Sequence, residues 1–167
     1  MQKVLLSVMV AALSACSTPS DKAVNKLTAV EQVNSPGMGE GQGSALTPLT
    51  DPNHILSQRS IYFDFDSFVV KPEYRDMLSA HAKYLSANQQ AHIVIQGNTD
   101  NRGTAEYNLA LGQKRAEAVK KTMNLMGIAD KQIETVSFGK ERPQALGQDD
   151  EAWAKNRRAD IVYAGEQ

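Results

Sequence analysis

Apolar residues recur along the chain with two different periods, and the changes of period mark the elements. Over residues 60–66, Ile61, Phe63 and Phe65 alternate with Tyr62, Asp64 and Asp66. That period of two predicts a strand with one buried face, which Asp66 leaves at its end. Pro72 then suits the first turn of a helix, where a missing N–H costs nothing. Tyr74, Met77, Leu78, His81, Ala82 and Leu85 follow at helical intervals and predict one buried stripe. His81 falls on that stripe with no second ligand near it in sequence and reads as a packed or edge histidine. Residues 91–96, with Ile93, Val94 and Ile95, predict a second, mostly buried strand ending at Gly97.

A polar loop, Gly97-Asn-Thr-Asp-Asn-Arg-Gly103, comes next, and Thr104 is placed to cap a long helix with Glu106 in its first turn. The helix runs to about Met126 and stops at Gly127, roughly 33 Å at about 1.5 Å per residue. At about 100° per residue, Leu111, Gly112, Arg115, Ala116, Val119, Met123 and Met126 share one sector about 140° wide. Arg115 is thus a cation inside an apolar stripe. Burying it unpaired costs several kcal/mol, so it needs an anion or a wet cavity, and its side chain points back toward the helix end that carries Asp100. Residues 133–138 predict a third strand, residues 149–155 a short helix capped by Asp149 or Asp150, and residues 158–164 a last strand. Asp160 puts a charge inside that last strand, which requires exposure or a partner. The order β, α, β, α, β, short α, β predicts an α/β sandwich, two main helices on a small mixed sheet of about four strands.

Composition narrows the chemistry. With 18 Lys plus Arg against 19 Asp plus Glu and a net charge of −1, the chain carries no basic field that would make nucleic acid a partner. One Cys and three scattered His exclude a disulfide framework and a Cys-based zinc site, and no metal or cofactor site is expected. Lys3 followed by an apolar run over residues 4–15 reads as a secretory signal, too short to span a bilayer permanently. Residues 17–58, rich in Ser, Thr, Gly, Pro, Asn and Gln, read as a linker. Their Gly37-Met-Gly-Glu-Gly-Gln-Gly43 run lacks the preceding strand and following helix that a phosphate loop requires. As a coil of roughly 40 residues, the linker spans roughly 35 Å root-mean-square.

Two resemblances sharpen this picture. Leu13-Ser14-Ala15-Cys16 resembles the bacterial lipoprotein signal, which implies removal of residues 1–15 and acylation of Cys16 as the mature N-terminus. Ser17 in place of the Asp common in retained inner-membrane lipoproteins implies the outer membrane, with the folded part facing the periplasm. Asn108-x-x-Leu111-Gly112-x-x-Arg115-Ala116-x-x-Val119, preceded by Gly97-Asn98-Thr99-Asp100-x-Arg102-Gly103, resembles the OmpA-like peptidoglycan-binding domain. The opening Tyr62-Phe63-Asp64-Phe65-Asp66 and the closing Asn156-Arg157-Arg158 belong to the same pattern, which covers residues 59–163. With the lipoprotein signal, the likeness narrows to the family of peptidoglycan-associated lipoproteins.

The resemblance implies domains over residues 1–15 (signal), 16–58 (lipidated Cys and linker) and 59–167 (binding domain). It implies a non-catalytic tether that grips the diaminopimelate of the peptidoglycan stem peptide. Diaminopimelate ends in an ammonium and a carboxylate on one carbon, a zwitterion that an Asp and an Arg at fixed separation match. By resemblance, Asp100 receives the ammonium and Arg115 the carboxylate; Asp66 and Phe65 stand at the rim; Arg102 and Leu111 make further contacts. Asn108 orders the loop or lines the site, and Asn98, Thr99, Asn156 and Arg157 support it. The same resemblance implies the periplasmic propeller protein TolB as a partner competing with peptidoglycan, and no cofactor beyond the lipid on Cys16. Gly112 departs from the Ser that many OmpA-like domains carry.

Read from the residues alone, other assignments stand beside these. Asp100 could cap the helix or close an Asx turn. Arg115 could pair internally with Asp66 or Asp100. Asp64 and Asp66, two apart on one strand face, could be paired catalytic carboxylates or a cation site, and a peptidoglycan hydrolase could use Asp64, Asp66 or Asp100 as acid and base. The domain could also belong to another OmpA-domain lipoprotein with no TolB partner.

Overall fold

Two parallel strands cannot be joined by a hairpin, so the chain between them must cross the sheet. That constraint organises the computed structural model, which describes residues 47–165. Strands β2 (Ile93–Asn98) and β3 (Ile133–Gly139) run parallel, and the crossover is the long helix α2 (Ala105–Leu125). β4 (Arg158–Tyr163) inserts between β2 and β1 (Ser60–Tyr62), antiparallel to both, giving the order β1-β4-β2-β3. With α1 (Arg75–Ala87) and the short α3 (Asp150–Asn156), the result is the α/β sandwich expected, helices on a mixed four-stranded sheet.

The core fills the layer between the helices and one sheet face. Ile61, Leu78, Leu85, Ile95, Val119 and Met123 expose no surface; each such side chain contributes about 1.5–3 kcal/mol on leaving water. His81, equally buried, accepts from Tyr163 Oη through Nδ1 and donates from Nε2 to the Gln58 carbonyl, each at 2.8 Å. Burial pushes its pKa down, against the opposing pull of the Gln58 carbonyl. The helical stripe is therefore closed by a neutral imidazole and not by a ligand site.

Helix α2 lies unusually close to β2 because glycines face each other where they cross. A Cβ on Gly97 would run into the carbonyl oxygen of Gly112, and one on Gly112 would stand 2.9 Å from the Gly97 oxygen. The Gly112 departure thus lies at the crossing itself, where a side chain would also displace the Ser137 hydroxyl. One turn further along α2, Arg115 comes within reach of the end of β2.

Two expectations change. The first strand ends at Tyr62: Phe63 is still buried and donates its N–H to the Arg157 carbonyl, but Phe65 is 64% exposed and Asp66 has a left-handed φ of 53°. The alternation continues through residues that have already turned away, so Asp64 and Asp66 share no strand face. Residues 47–58, read as the end of the linker, are folded. Leu56 is buried, and the Arg59 guanidinium holds the segment through the Leu49 carbonyl (2.8 Å) and the Leu56 carbonyl (3.2 Å). One buried Leu among polar residues gives no period to read. The signal, Cys16 and the linker up to residue 46 lie outside the described residues.

Candidate functional site

β2 ends at Asn98 and delivers Thr99 and Asp100 beside the first turns of α2. Three devices fix this junction. Thr104 caps α2 by accepting from the Tyr107 N–H at 3.2 Å. Asn108 Nδ2 donates to the Arg102 carbonyl at 2.7 Å and the Thr104 carbonyl at 3.0 Å, so the Asn108 side chain orders the loop. Thr99 donates its N–H to the Gly139 carbonyl at 2.8 Å, which ties the loop to β3. Around the junction opens a cavity of about 250 Å³, lined by Phe65, Asp66, Thr99, Asp100, Arg102, Gly103, Tyr107, Asn108, Leu111 and Arg115.

Arg115 has no exposed surface. Its Nε donates to the Ser67 carbonyl at 2.8 Å, Nη1 to Asn98 at 2.8 Å and Nη2 to Asp64 at 3.2 Å. All three partners are neutral backbone oxygens, and the guanidinium sits 5.2 Å from the Phe63 ring centroid. No carboxylate among the described residues is within ion-pair distance, so the internal bridge to Asp66 or Asp100 does not form. Burial lowers its pKa to about 10, against the attraction of Asp100, and leaves it protonated at neutral pH. Three of its five N–H groups are used, and the charge remains unneutralised at short range.

Asp100 is the reverse case. Its Oδ1 accepts from the Arg102 backbone N–H and Nε, each at 3.2 Å, and its Oδ2 from Arg102 Nη2 at 2.7 Å, with Arg157 Nη1 at 3.5 Å. Burial works to raise its pKa, but the Arg102 bonds and the Arg157 charge outweigh burial and hold the carboxyl below the usual range. The Asx turn weighed from sequence is present in the Oδ1 bond to the Arg102 N–H; the helix cap is Thr104 instead. Arg102 is itself held between two rings, its Cζ 4.2 Å from the Phe65 centroid and 4.1 Å from the Trp153 centroid. Asp66 accepts a hydrogen bond from Tyr107 Oη, which raises the Tyr107 pKa.

Eight residues singled out from sequence, Phe65, Asp66, Thr99, Asp100, Arg102, Asn108, Leu111 and Arg115, line this one cavity. Three do not. Asn98 turns its side chain to the opposite face of the sheet, where Nδ2 donates to Asp160 at 3.1 Å; only its carbonyl meets Arg115. Arg157 stands behind Asp100 and donates from Nε to the Phe63 carbonyl at 3.1 Å. Asn156 folds the 144–145 loop, its Oδ1 accepting from the Gln144 N–H at 2.7 Å and the Ala145 N–H at 3.0 Å. Sequence reading missed Tyr107 and Trp153. The first was findable, since Tyr107, Leu111 and Arg115 are spaced four apart on α2. Trp153 had no such signal: it arrives from α3 and donates from Nε1 to Asn101 Oδ1 at 2.8 Å.

The carboxylates considered as a catalytic pair are separated. Asp64 pairs with Lys71 at 2.8 Å, while Asp66 faces Tyr107. Among the described residues no group of three or more His, Cys, Asp or Glu is placed to hold a metal ion, and no helix is long and apolar enough to cross a membrane. Arg102 and Arg115 in the lining and Arg157 behind Asp100, three guanidinium groups, stand against two carboxylates, Asp66 and Asp100, which leaves one positive charge in excess. Such an arrangement selects an anion, and the acidic groups beside it admit a cation on the same molecule.

Comparison with known proteins gives the family. The OmpA family pattern matches residues 62–157. The peptidoglycan-associated lipoprotein of Haemophilus influenzae is 40% identical over 164 residues, 97% of each chain. That of Pasteurella multocida is 48% identical over 110 residues, 65% of this chain and 73% of its own. The crystal structure of the peptidoglycan-associated lipoprotein from Burkholderia pseudomallei superposes with a TM-score of 0.69 at 61% identity, covering 70% of this chain and 99% of that one. The chain belongs to the OmpA family, among the peptidoglycan-associated lipoproteins.

Proposed function

We propose that this protein is an outer-membrane lipoprotein whose folded domain binds the peptide stem of peptidoglycan and so ties the outer membrane to the cell wall. Residues 1–15 are the removed signal, Cys16 is the acylated N-terminus, the residues that follow up to about 46 are the leash, and residues 59–167 are the binding domain, onto which residues 47–58 pack. Several acyl chains on one residue give stable anchoring where one alone is marginal. Binding is the whole task; the protein is not an enzyme. A general acid needs a raised pKa, whereas Asp100 is held low and Asp64 is paired with a lysine.

The observation that carries the reading is Arg115: a fully buried cation at the cavity with only neutral carbonyls around it, beside an ionised Asp100. The distal carboxylate of diaminopimelate supplies the missing anion. Its ammonium meets Asp100 and Asp66, and Arg102, stacked on Phe65 at the cavity wall, closes over the ligand. Asp100 needs no free oxygen beforehand, since the ligand ammonium shares the carboxylate with Arg102. TolB competes for the same rim, where Phe65 and Tyr107 stand exposed.

Calorimetric titration with a diaminopimelate-containing stem peptide tests this. The native domain is expected to bind, Asp100→Ala to lose at least tenfold in affinity while remaining folded, and a lysine-containing stem, lacking the extra carboxylate, to fail. Equal binding of the two stems would overturn the assignment of Arg115. A TolB pull-down that stem peptide displaces supports the shared rim; simultaneous binding of both sinks it.

A further inference from the structure

The loop that supplies Asp100 and Arg102 to the first cavity supplies Asn101 to a second, also about 250 Å³. Thr99 lines both. The remaining wall comes from the 140–148 segment, including Lys140, Leu146 and Gln148, and from Asn156, whose three hydrogen bonds to Gln144 and Ala145 hold that segment in shape. The support residue read from sequence as part of the first site thus builds the second.

Lys140 is the only charged residue in this lining. Its Nζ donates to the Gly103 carbonyl at 3.2 Å, and Gly103 lines the first cavity, so the ammonium sits at the lip between the two. No carboxylate among the described residues is within 4 Å of it. Asn101 spends its Oδ1 on Trp153 and keeps its amide N–H groups, and Gln148 is exposed with its amide uncommitted among the described residues. A cation with amide donors and no lining acid is a place for a carboxylate.

We propose that this second cavity is a carboxylate subsite for a peptide whose zwitterionic side chain fills the first cavity, with the peptide's C-terminal carboxylate paired to Lys140. Thr99 lines both cavities and Lys140 Nζ reaches the Gly103 carbonyl, so a chain leaving the first cavity has only the Gly103 lip to cross before it meets the ammonium. This rests on the stem-peptide reading above, which it extends from one side chain to the peptide's end.

The test uses the full chain and two stem peptides that differ only at the end: diaminopimelate followed by one alanine, as the free acid and as the C-terminal amide. Both are titrated calorimetrically against the native protein and Lys140→Gln, with thermal melting to confirm folding. The native protein is expected to favour the acid by about 5-fold, the size of a partly exposed ion pair. Lys140→Gln is expected to bind both peptides alike, at the affinity the native protein shows for the amide. Equal binding of acid and amide by the native protein, or a preference that survives in Lys140→Gln, overturns the subsite while leaving the stem reading intact. Loss of both peptides in a folded Lys140→Gln overturns it too, since the lysine would then act through the Gly103 loop. If neither peptide binds the native protein, the stem reading fails and the subsite falls with it.

Discussion

Two buried arginines, Arg115 on α2 and Arg158 on β4, show how differently one fold treats the same group. Arg158, 8% exposed, lies on the sheet face away from the helices; its Nε meets Asp160 at 2.9 Å. Asp160 also accepts from Ser60 Oγ at 2.7 Å and Asn98 Nδ2 at 3.1 Å, so the acid inside the last strand is fully paired. Arg115, with no exposed surface, has three carbonyls and no acid. Asn98 serves both, by its side chain on one face and its carbonyl on the other. One cluster neutralises its charge within the protein and holds strands together; the other leaves its charge without an acid among the described residues, the anion that the proposed stem carboxylate supplies. A buried ion is evidence of a binding site only when its own chain has declined to pair it.

The comparison breaks most sharply at Arg115. Arg115→Met should destabilise by about 3 kcal/mol or more, because the 64–67 loop and the end of β2 lose their common donor and three carbonyls stay buried; chemical denaturation measures it. Arg115→Lys keeps the charge without the fork and should recover only part of that stability while still failing to bind stem peptide. Gly97→Ala comes next, at about 1–3 kcal/mol, since its Cβ meets the backbone of Gly112 and no side chain can yield. A loss below that range in urea denaturation would show that α2 is free to shift.

On the other face, Asp160→Asn should cost about 2 kcal/mol by leaving Arg158 uncompensated, and Asp160→Leu with Arg158→Met should cost less than the single change. Stem-peptide affinity should be unchanged in both, and any loss of affinity would mean the two clusters are coupled through Asn98. The smallest effect concerns pH. The Asp100 pKa is lowered in the folded state, so its contribution is complete above the usual carboxylate value of 3.8 and disappears as pH falls through the lower folded value. Melting temperature of the native protein should drop more steeply below pH 3.8 than that of Asp100→Asn. Parallel curves would show that Arg102 and Arg157 do not hold the carboxyl low.

Much of this was legible without coordinates, and the reason is periodicity. The stripes of α1 and α2, the Thr104 cap, the stop at Gly127 and the odd charge of Arg115 follow from spacing along one element, because a helix or strand places its residues by local geometry alone. Tyr107 was within reach of the same rule. The resemblance added Phe65 and Asp66, which periodicity had placed on a strand that ends sooner.

What the tertiary structure decided is which groups meet across elements. The resemblance gave Asp100 and Arg115 as an open pair, but folding engages Asp100 with Arg102 and Arg157 and surrounds Arg115 with carbonyls from one loop and a strand end. It turned the Asn98 side chain to the other face, moved Asn156 to a second cavity and brought Trp153 from α3 to clamp Arg102. Apart from Asp100 and Arg102, neighbours in one loop, these contacts join residues 11 or more positions apart. Their partners are set by the closeness of α2 to β2 at two glycines and by the turn after Phe63, and no interval along the chain encodes such distances.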